Sequence, residues 1–193
     1  MNGNDPTRPI WMFVTPAIDT WLKGGKAPRT MTIGITGLKH MASLSEETNA
    51  YTATILLDGV RAFEGSNHGH GGPDMYHVLK GYDGPSPEEV DAWIKATMPS
   101  YHFQGMDLDQ SLEMVVGELV ESELRTKRLK RLLSTKILVI EKVDGEDGLY
   151  TYKGKPTPEA LESMRKSIAA GKIKGRLVNG GDEAIMAETR KLV

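Results

Sequence analysis

The sequence predicts an α+β fold, with antiparallel β-hairpins forming a small sheet packed with about four helices. Three observations carry this. Apolar alternation over residues 51–57 runs into Asp58-Gly59, a pair that accepts the positive φ of a tight hairpin turn. Two later stretches, "SPEEVDAWIKATM" and "TPEALESMRKSIAAG", open with a capping residue followed by proline. The candidate strands also come mostly before the helices, the order of an α+β rather than a doubly wound protein.

Along the chain, residues 1–30 differ from the rest. Pro6, Pro9, Pro16 and Pro28 interrupt any long element, while Trp11, Phe13, Ile18, Trp21 and Leu22 supply apolar anchors. This reads as an N-terminal extension with partial order, ending in the linker "KGGKAPRT" (23–30). From 31 to 193 a single α+β domain is expected. "MTIGITGLKHMAS" supplies a first strand region. In "NAYTATILLDGVRAFEGSN" one face carries Tyr51, Ala53, Ile55 and Leu57, and the other Thr52, Thr54 and Leu56. The next helix has Ser86 as N-cap, Pro87 where a missing N–H costs nothing, and Glu89 to close a capping box. A longer helix is expected over 108–134, with Leu112, Val115, Val116, Leu119 and Val120 as its apolar stripe. "KILVIEKVDGEDGLYTYKG" reads as a second hairpin around an acidic, glycine-bearing turn. Thr157 caps a further helix that Gly171 stops, "GRLVN" is a short strand, and a last helix from Asp182 closes the chain.

Bulk properties narrow the function classes. The 193 residues, 39% hydrophobic and 26% charged, suit a globular protein with a substantial core. No apolar run approaches the ~20 residues of a membrane span, so no membrane association is expected. The opening residues carry acids and prolines where a secretion signal needs a basic start and an apolar run. Cysteine is absent, which removes disulfides, thiolate nucleophiles, zinc fingers and iron–sulfur ligation. A net charge of -2 gives no global attraction to nucleic acid or anionic lipid.

The chemistry-bearing stretch is "EGSNHGHGGPDMYHV", residues 64–78. It admits three readings. As a metal site, His68 and His70 at i and i+2 could meet one ion, with Asp74 or His77 as a third ligand and an open position for water. As an anion loop, Asn67, Gly69, Gly71 and Gly72 would leave backbone N–H groups unhindered, with His68, His70, Arg61 and Lys80 adding charge or hydrogen bonds. As a turn, the glycines would only supply positive φ at a bulge or corner. No HExxH, GxGxxG or GxxxxGK[ST] spacing accompanies it.

"SLSEETNAYTATILLDGVRAFEGSNHGHGG" resembles the signature region of small uncharacterised proteins of phages and plasmids, in which S-E-E-T is followed by an aromatic, a hairpin D-G and N-x-G-x-G-G. The matching residues here are Ser45, Glu46, Glu47, Thr48, Tyr51, Asp58, Gly59, Asn67, Gly69, Gly71 and Gly72. The resemblance covers about 30 residues. It implies a mobile-element setting in a bacterial cytoplasm and carries no activity, and its pattern fixes no histidine.

The expectation is therefore a non-enzymatic accessory protein, a homo-oligomer without a cofactor. It would inhibit a host defence system by binding an anionic small molecule such as a nucleotide signal, or by masking a host protein. The ligand would sit on residues 67–72 with Glu46, Glu47 and Arg61 beside them. Two alternatives stay open. One is a metal-dependent hydrolase on His68, His70, Asp74 and His77. The other is a nucleic-acid-binding protein using Arg125, Lys127, Arg128, Lys130 and Arg131, a cluster that also reads as an ordinary solvated helix face.

Overall fold

The computed structural model describes residues 10–16, 30–103 and 105–193. Mixed helices and antiparallel sheets make the fold α+β. Where the sequence reads one domain from residue 31 onward, the chain divides into two compact units, Met1–Val120 and Glu121–Val193. Of the anticipated N-terminal extension, one strand is described; Ile18, Trp21, Leu22 and the linker up to residue 29 lie outside the described residues.

The first unit holds β1 (Ile10–Pro16), β2 (Thr30–His40), β3 (Tyr51–Leu57), β4 (Val60–Asn67) and β5 (Met75–Val78). They form one antiparallel sheet in that spatial order. The turn between β3 and β4 is the Asp58-Gly59 pair, with φ of 49° and 84° at its two positions. Both values are positive, as the twist-matched two-residue hairpin requires. Asp58 also ties the turn to β2: its N–H donates to the Thr32 carbonyl (2.8 Å) and its Oδ1 accepts the Thr32 N–H (2.7 Å). Along β3 the expected face, Tyr51, Ala53, Ile55 and Leu57, is buried, together with Leu56.

Helix α1 (Pro87–Thr97) begins with both halves of its capping box, Ser86 Oγ accepting from the Glu89 N–H and Glu89 accepting from the Ser86 N–H. It buries Val90, Trp93 and Ile94. A hairpin of β6 (Tyr101–Phe103) and β7 (Met106–Leu108) follows, then helix α2 (Leu112–Thr135). The helix starts four residues later than the sequence suggests, because 106–108 is extended in the hairpin. Ser111 caps it, accepting from the Met114 N–H at 3.2 Å. All five residues of the expected stripe are buried.

In the second unit β8 (Ile137–Val143) and β9 (Glu146–Tyr152) form the anticipated second hairpin, turning at Asp144-Gly145 with φ of 53° and 91°. Asp58 and Asp144 are the two non-glycine residues with positive φ among those described. A short β10 (Arg176–Leu177) flanks β8, so β8 is central. Its apolar run is buried on both faces: Leu138 and Ile140 pack with Leu129 and Val178, and Ile137 and Val139 with Met164. Helices α3 (Pro158–Ala169) and α4 (Glu183–Leu192) are capped by Thr157 and Asp182, as their sequences suggest.

The junction from α2 to β8 is held by Asn179, whose side chain is buried. Its Nδ2 donates to the carbonyls of Leu133 (3.2 Å) and Lys136 (2.9 Å), and its Oδ1 accepts the Leu138 N–H (2.7 Å). One amide thus closes the last turn of a helix and starts the following strand. Asn179→Ala is expected to cost about 2–3 kcal/mol, since the Leu138 N–H loses its buried acceptor. Urea denaturation measures this, and a loss below about 0.5 kcal/mol would mean the junction holds without the amide.

Candidate functional site

The S-E-E-T segment and the glycine-histidine loop fold against each other. Strand β4 ends at Asn67, the loop runs over 68–74, and β5 returns along β4 with Ser66 opposite Met75. Facing the loop, the backbone N–H groups of Glu46, Glu47 and Thr48 converge on one oxygen, the Gly69 carbonyl, at 3.0, 3.0 and 3.3 Å. Successive N–H groups in a turn form a concave anion nest. Here the nest lies in the S-E-E-T segment and its occupant is the chain's own carbonyl. Ser45 anchors the same segment: its Oγ accepts the Ala50 N–H (2.9 Å) and donates to the Met41 carbonyl (3.1 Å).

Asn67, 5% exposed, is the hub. Its Oδ1 accepts from Thr48 Oγ1 and from the Gly69 N–H, both at 2.8 Å. Its Nδ2 donates to the Gly72 carbonyl (3.0 Å) and to Asp74 Oδ1 (2.9 Å). All the donors and acceptors of the amide are used, as burial demands. Gly69 adopts φ of 89°, and a Cβ there would collide with the Leu44 carbonyl oxygen. At Gly71 (φ 76°) a Cβ would meet the Glu47 carboxylate, whereas at Gly72 it would meet nothing.

Asp74 carries the hub outward. Its Oδ2 accepts from the Tyr51 hydroxyl (2.5 Å) and the Tyr76 hydroxyl (2.8 Å). Burial, then the hydrogen bond to Asp74, pushes the Tyr51 phenol far above its ordinary value; burial, then the charges of Tyr51 and Asp74, does the same to Tyr76. Glu113, in the first turn of α2, is also raised, by desolvation and by the Asp74 charge, while a hydrogen bond from the Asp74 backbone opposes the rise. A cleft of ≈ 400 Å³ opens beside this group, lined by Tyr76, Glu88, Asp91, Ser111, Leu112 and Glu113. Its carboxylates already have structural partners. Asp91 accepts the Leu112 N–H (2.8 Å) and pairs with Lys95 (2.8 Å), and Glu88 accepts from Ser86 Oγ (2.8 Å).

The residues singled out from sequence are only partly brought together. Glu46 Oε2 lies 3.2 Å from His70 Nδ1 in an exposed pair, and Glu47 covers Gly71. Gly69 and Gly71 spend their N–H groups inside the knot, on Asn67 and Thr48. Arg61 lies at the hairpin-turn end of β4, about 20 Å of strand away from Asn67, and reaches Thr54 Oγ1 (3.4 Å). His68 is exposed, and His77 stands opposite Glu64 on β5. His68, His70, Asp74 and His77 form no ligand set: among the described residues no three such side chains gather to hold a metal ion. The 125–131 cluster lies exposed on α2, with Arg125 and Lys127 near Glu121 and Glu123.

Tyr76 and Glu113 escaped the sequence reading. A signal for Tyr51 was present: a tyrosine on a buried strand face must find a partner for its hydroxyl. No family model, curated protein or solved structure matches the chain with significance.

Two outcomes follow from this geometry. Gly69→Ala should cost several kcal/mol, through steric overlap and a disfavoured φ, while Gly72→Ala should change stability by less than about 1 kcal/mol. Paired denaturation curves decide it, and equal losses would show that the contact with Leu44 does not constrain the loop. Because Tyr51 and Tyr76 have folded values above the unfolded value near 10, their contribution is fully present below that pH. It is lost as the pH rises further, each tyrosine approaching ~1.4 kcal/mol per pH unit. The Tyr51→Phe/Tyr76→Phe protein should therefore show a flatter alkaline stability profile, and an unchanged slope would refute the coupling.

Proposed function

We propose that this protein is a non-enzymatic accessory protein of a phage or plasmid that acts in counter-defence by masking a host protein. The mobile-element setting rests on the S-E-E-T, D-G and N-x-G-x-G-G residues. The masking role rests chiefly on one observation, an apolar hairpin turned to solvent. In β6–β7, Tyr101 pairs with Leu108, and Met106, two residues before Leu108, shares their face, while His102 and Asp107 pair on the other at 2.8 Å. Tyr101 is 48% exposed, Met106 56% and Leu108 40%. Beside Tyr101 lies a groove of ≈ 450 Å³ with Met114, Val115 and Gly117 in its wall. Tyrosine and methionine are enriched in protein interfaces, and exposed apolar patches mark them.

The charge around the hairpin narrows the partner. The first unit has 15 Asp and Glu against 8 Lys and Arg, and Asp107, Asp109 and Glu118 are exposed at the hairpin and groove. The matching surface is an apolar anchor flanked by Lys or Arg. Binding of an anionic small molecule at the glycine loop is less well supported, because that loop's N–H groups at 69 and 71 and the nest at 46–48 are used internally.

The test is expression in bacteria carrying individual defence systems under phage challenge. Wild type should restore plating against one of them, and Tyr101→Asp/Met106→Asp should abolish the rescue while circular dichroism stays unchanged. Full rescue by the double variant would sink the masking surface. Release of a nucleotide or similar anion on denaturation in native mass spectrometry would return the small-ligand reading to the front.

A further inference from the structure

We propose that the second unit binds the phosphate backbone of duplex nucleic acid through the end of the unit where α2 passes into β8. The whole-chain charge of -2 conceals a partition. Residues 121–193 carry 16 Lys and Arg against 11 Asp and Glu, whereas the first unit is acidic by a similar margin. Electrostatic attraction to a polyanion is set by the surface within about a Debye length, roughly 8 Å at physiological salt, so the local sum governs.

Within the second unit the charge is polarised along the β8–β9 hairpin. The turn end carries Asp144, Glu146 and Asp147 against one cation, Lys142, which stands opposite Asp147. At the open end the last paired residues are Ile137 and Tyr152. Lys136 and Lys153 stand one step beyond them on adjacent strands, and Lys155 follows; all three are exposed. Like charges placed across a strand pair repel one another, so this end is held together by backbone and core contacts in spite of its charge. Arg131 and Arg128, five and eight residues before Lys136 on α2, are exposed and add positive charge within about 12 Å of it along the helix axis.

The backbone at Lys136 is hydrogen-bonded at both its N–H and its carbonyl. The Lys136 N–H continues the helical ladder to Leu132 (2.8 Å), and its carbonyl is gripped by Asn179 (2.9 Å). The carboxylate that follows Lys155, Glu159, is directed to the first turn of α3, where its own N–H and Thr157 hold its pKa down. An elongated array of five cations suits several successive phosphates better than one small anion. A lipid surface fits less well. Of the second unit's exposed large apolar side chains, Val143 lies toward the acidic turn, which leaves Tyr150 alone near the basic end, too little apolar surface for insertion into a bilayer.

Fluorescence anisotropy of the full-length protein with a labelled DNA duplex of random sequence tests this across 50–300 mM salt. The logarithm of affinity should fall with the logarithm of salt at a slope near −4, from about four to five neutralised phosphates. Lys136→Ala/Lys153→Ala should flatten the slope by about 2 and weaken binding throughout. Lys39→Ala/Lys80→Ala removes the same charge from the first unit and should leave both unchanged. Salt-indifferent binding, or equal effects of the two pairs, would overturn the proposal. So would binding to phosphatidylserine vesicles with none to DNA, which would assign the surface to a membrane instead.

Discussion

A buried primary amide must find partners for two N–H bonds and for its carbonyl lone pairs, and Asn67 finds them all within the loop it introduces and the segment facing it. That requirement shapes the polar end of the first unit. The Gly69 N–H can reach Asn67 Oδ1 only if the chain turns back at once, and at Gly69 the chain takes a positive φ with its α-carbon against the Leu44 carbonyl. The turn aims the Gly69 carbonyl at the three N–H groups of 46–48. The other half of the amide fixes Asp74, and Asp74 in turn is the acceptor for two buried tyrosine hydroxyls. A low local dielectric strengthens each of these bonds and makes each one costly to leave unmade.

The second unit uses the same device for another purpose. Asn179 joins helix to strand, where carbonyls at the end of α2 would otherwise lack partners. Neither asparagine is arranged to do chemistry. Both spend hydrogen bonds from each end of the amide, four at Asn67 and three at Asn179, on holding a change of chain direction, the use a buried polar side chain serves best when an apolar one could not satisfy the backbone.

This bears on how the glycine-histidine loop is understood. Glycines, an asparagine and nearby acids are what an anion-binding loop needs, and equally what a self-satisfied turn needs, because both depend on backbone N–H groups gathered around an oxygen. The difference is whose oxygen it is. With Gly69 supplying it, the S-E-E-T and N-x-G-x-G-G residues are accounted for by folding alone: Ser45, Thr48, Asn67 and Gly69 each have a bonding or steric role in the knot. Function is then more reasonably sought on surfaces the knot leaves exposed, the apolar hairpin of the acidic unit and the basic end of its neighbour in sequence.

By itself the sequence determined the elements whose causes are local. The Asp-Gly turns, the capping box at Ser86, the caps at Thr157 and Asp182 and the buried stripe of α2 all follow from residues a few positions apart. Tertiary structure decided the rest. Strand β5 is a strand because β4 offers it an edge, four residues being too few for alternation to show. The β6–β7 hairpin moved the start of α2, and the unbroken extension of β4 as far as Asn67 holds Arg61 at the opposite end of the strand from the loop. The partners of Asn67, Asp74 and Glu113 come from segments up to about 40 residues apart, and the division of charge between the units became visible only with the boundary at residue 120. Local propensity acts over a turn or a few residues, whereas the satisfaction of a buried polar atom depends on whichever segment the fold brings to it.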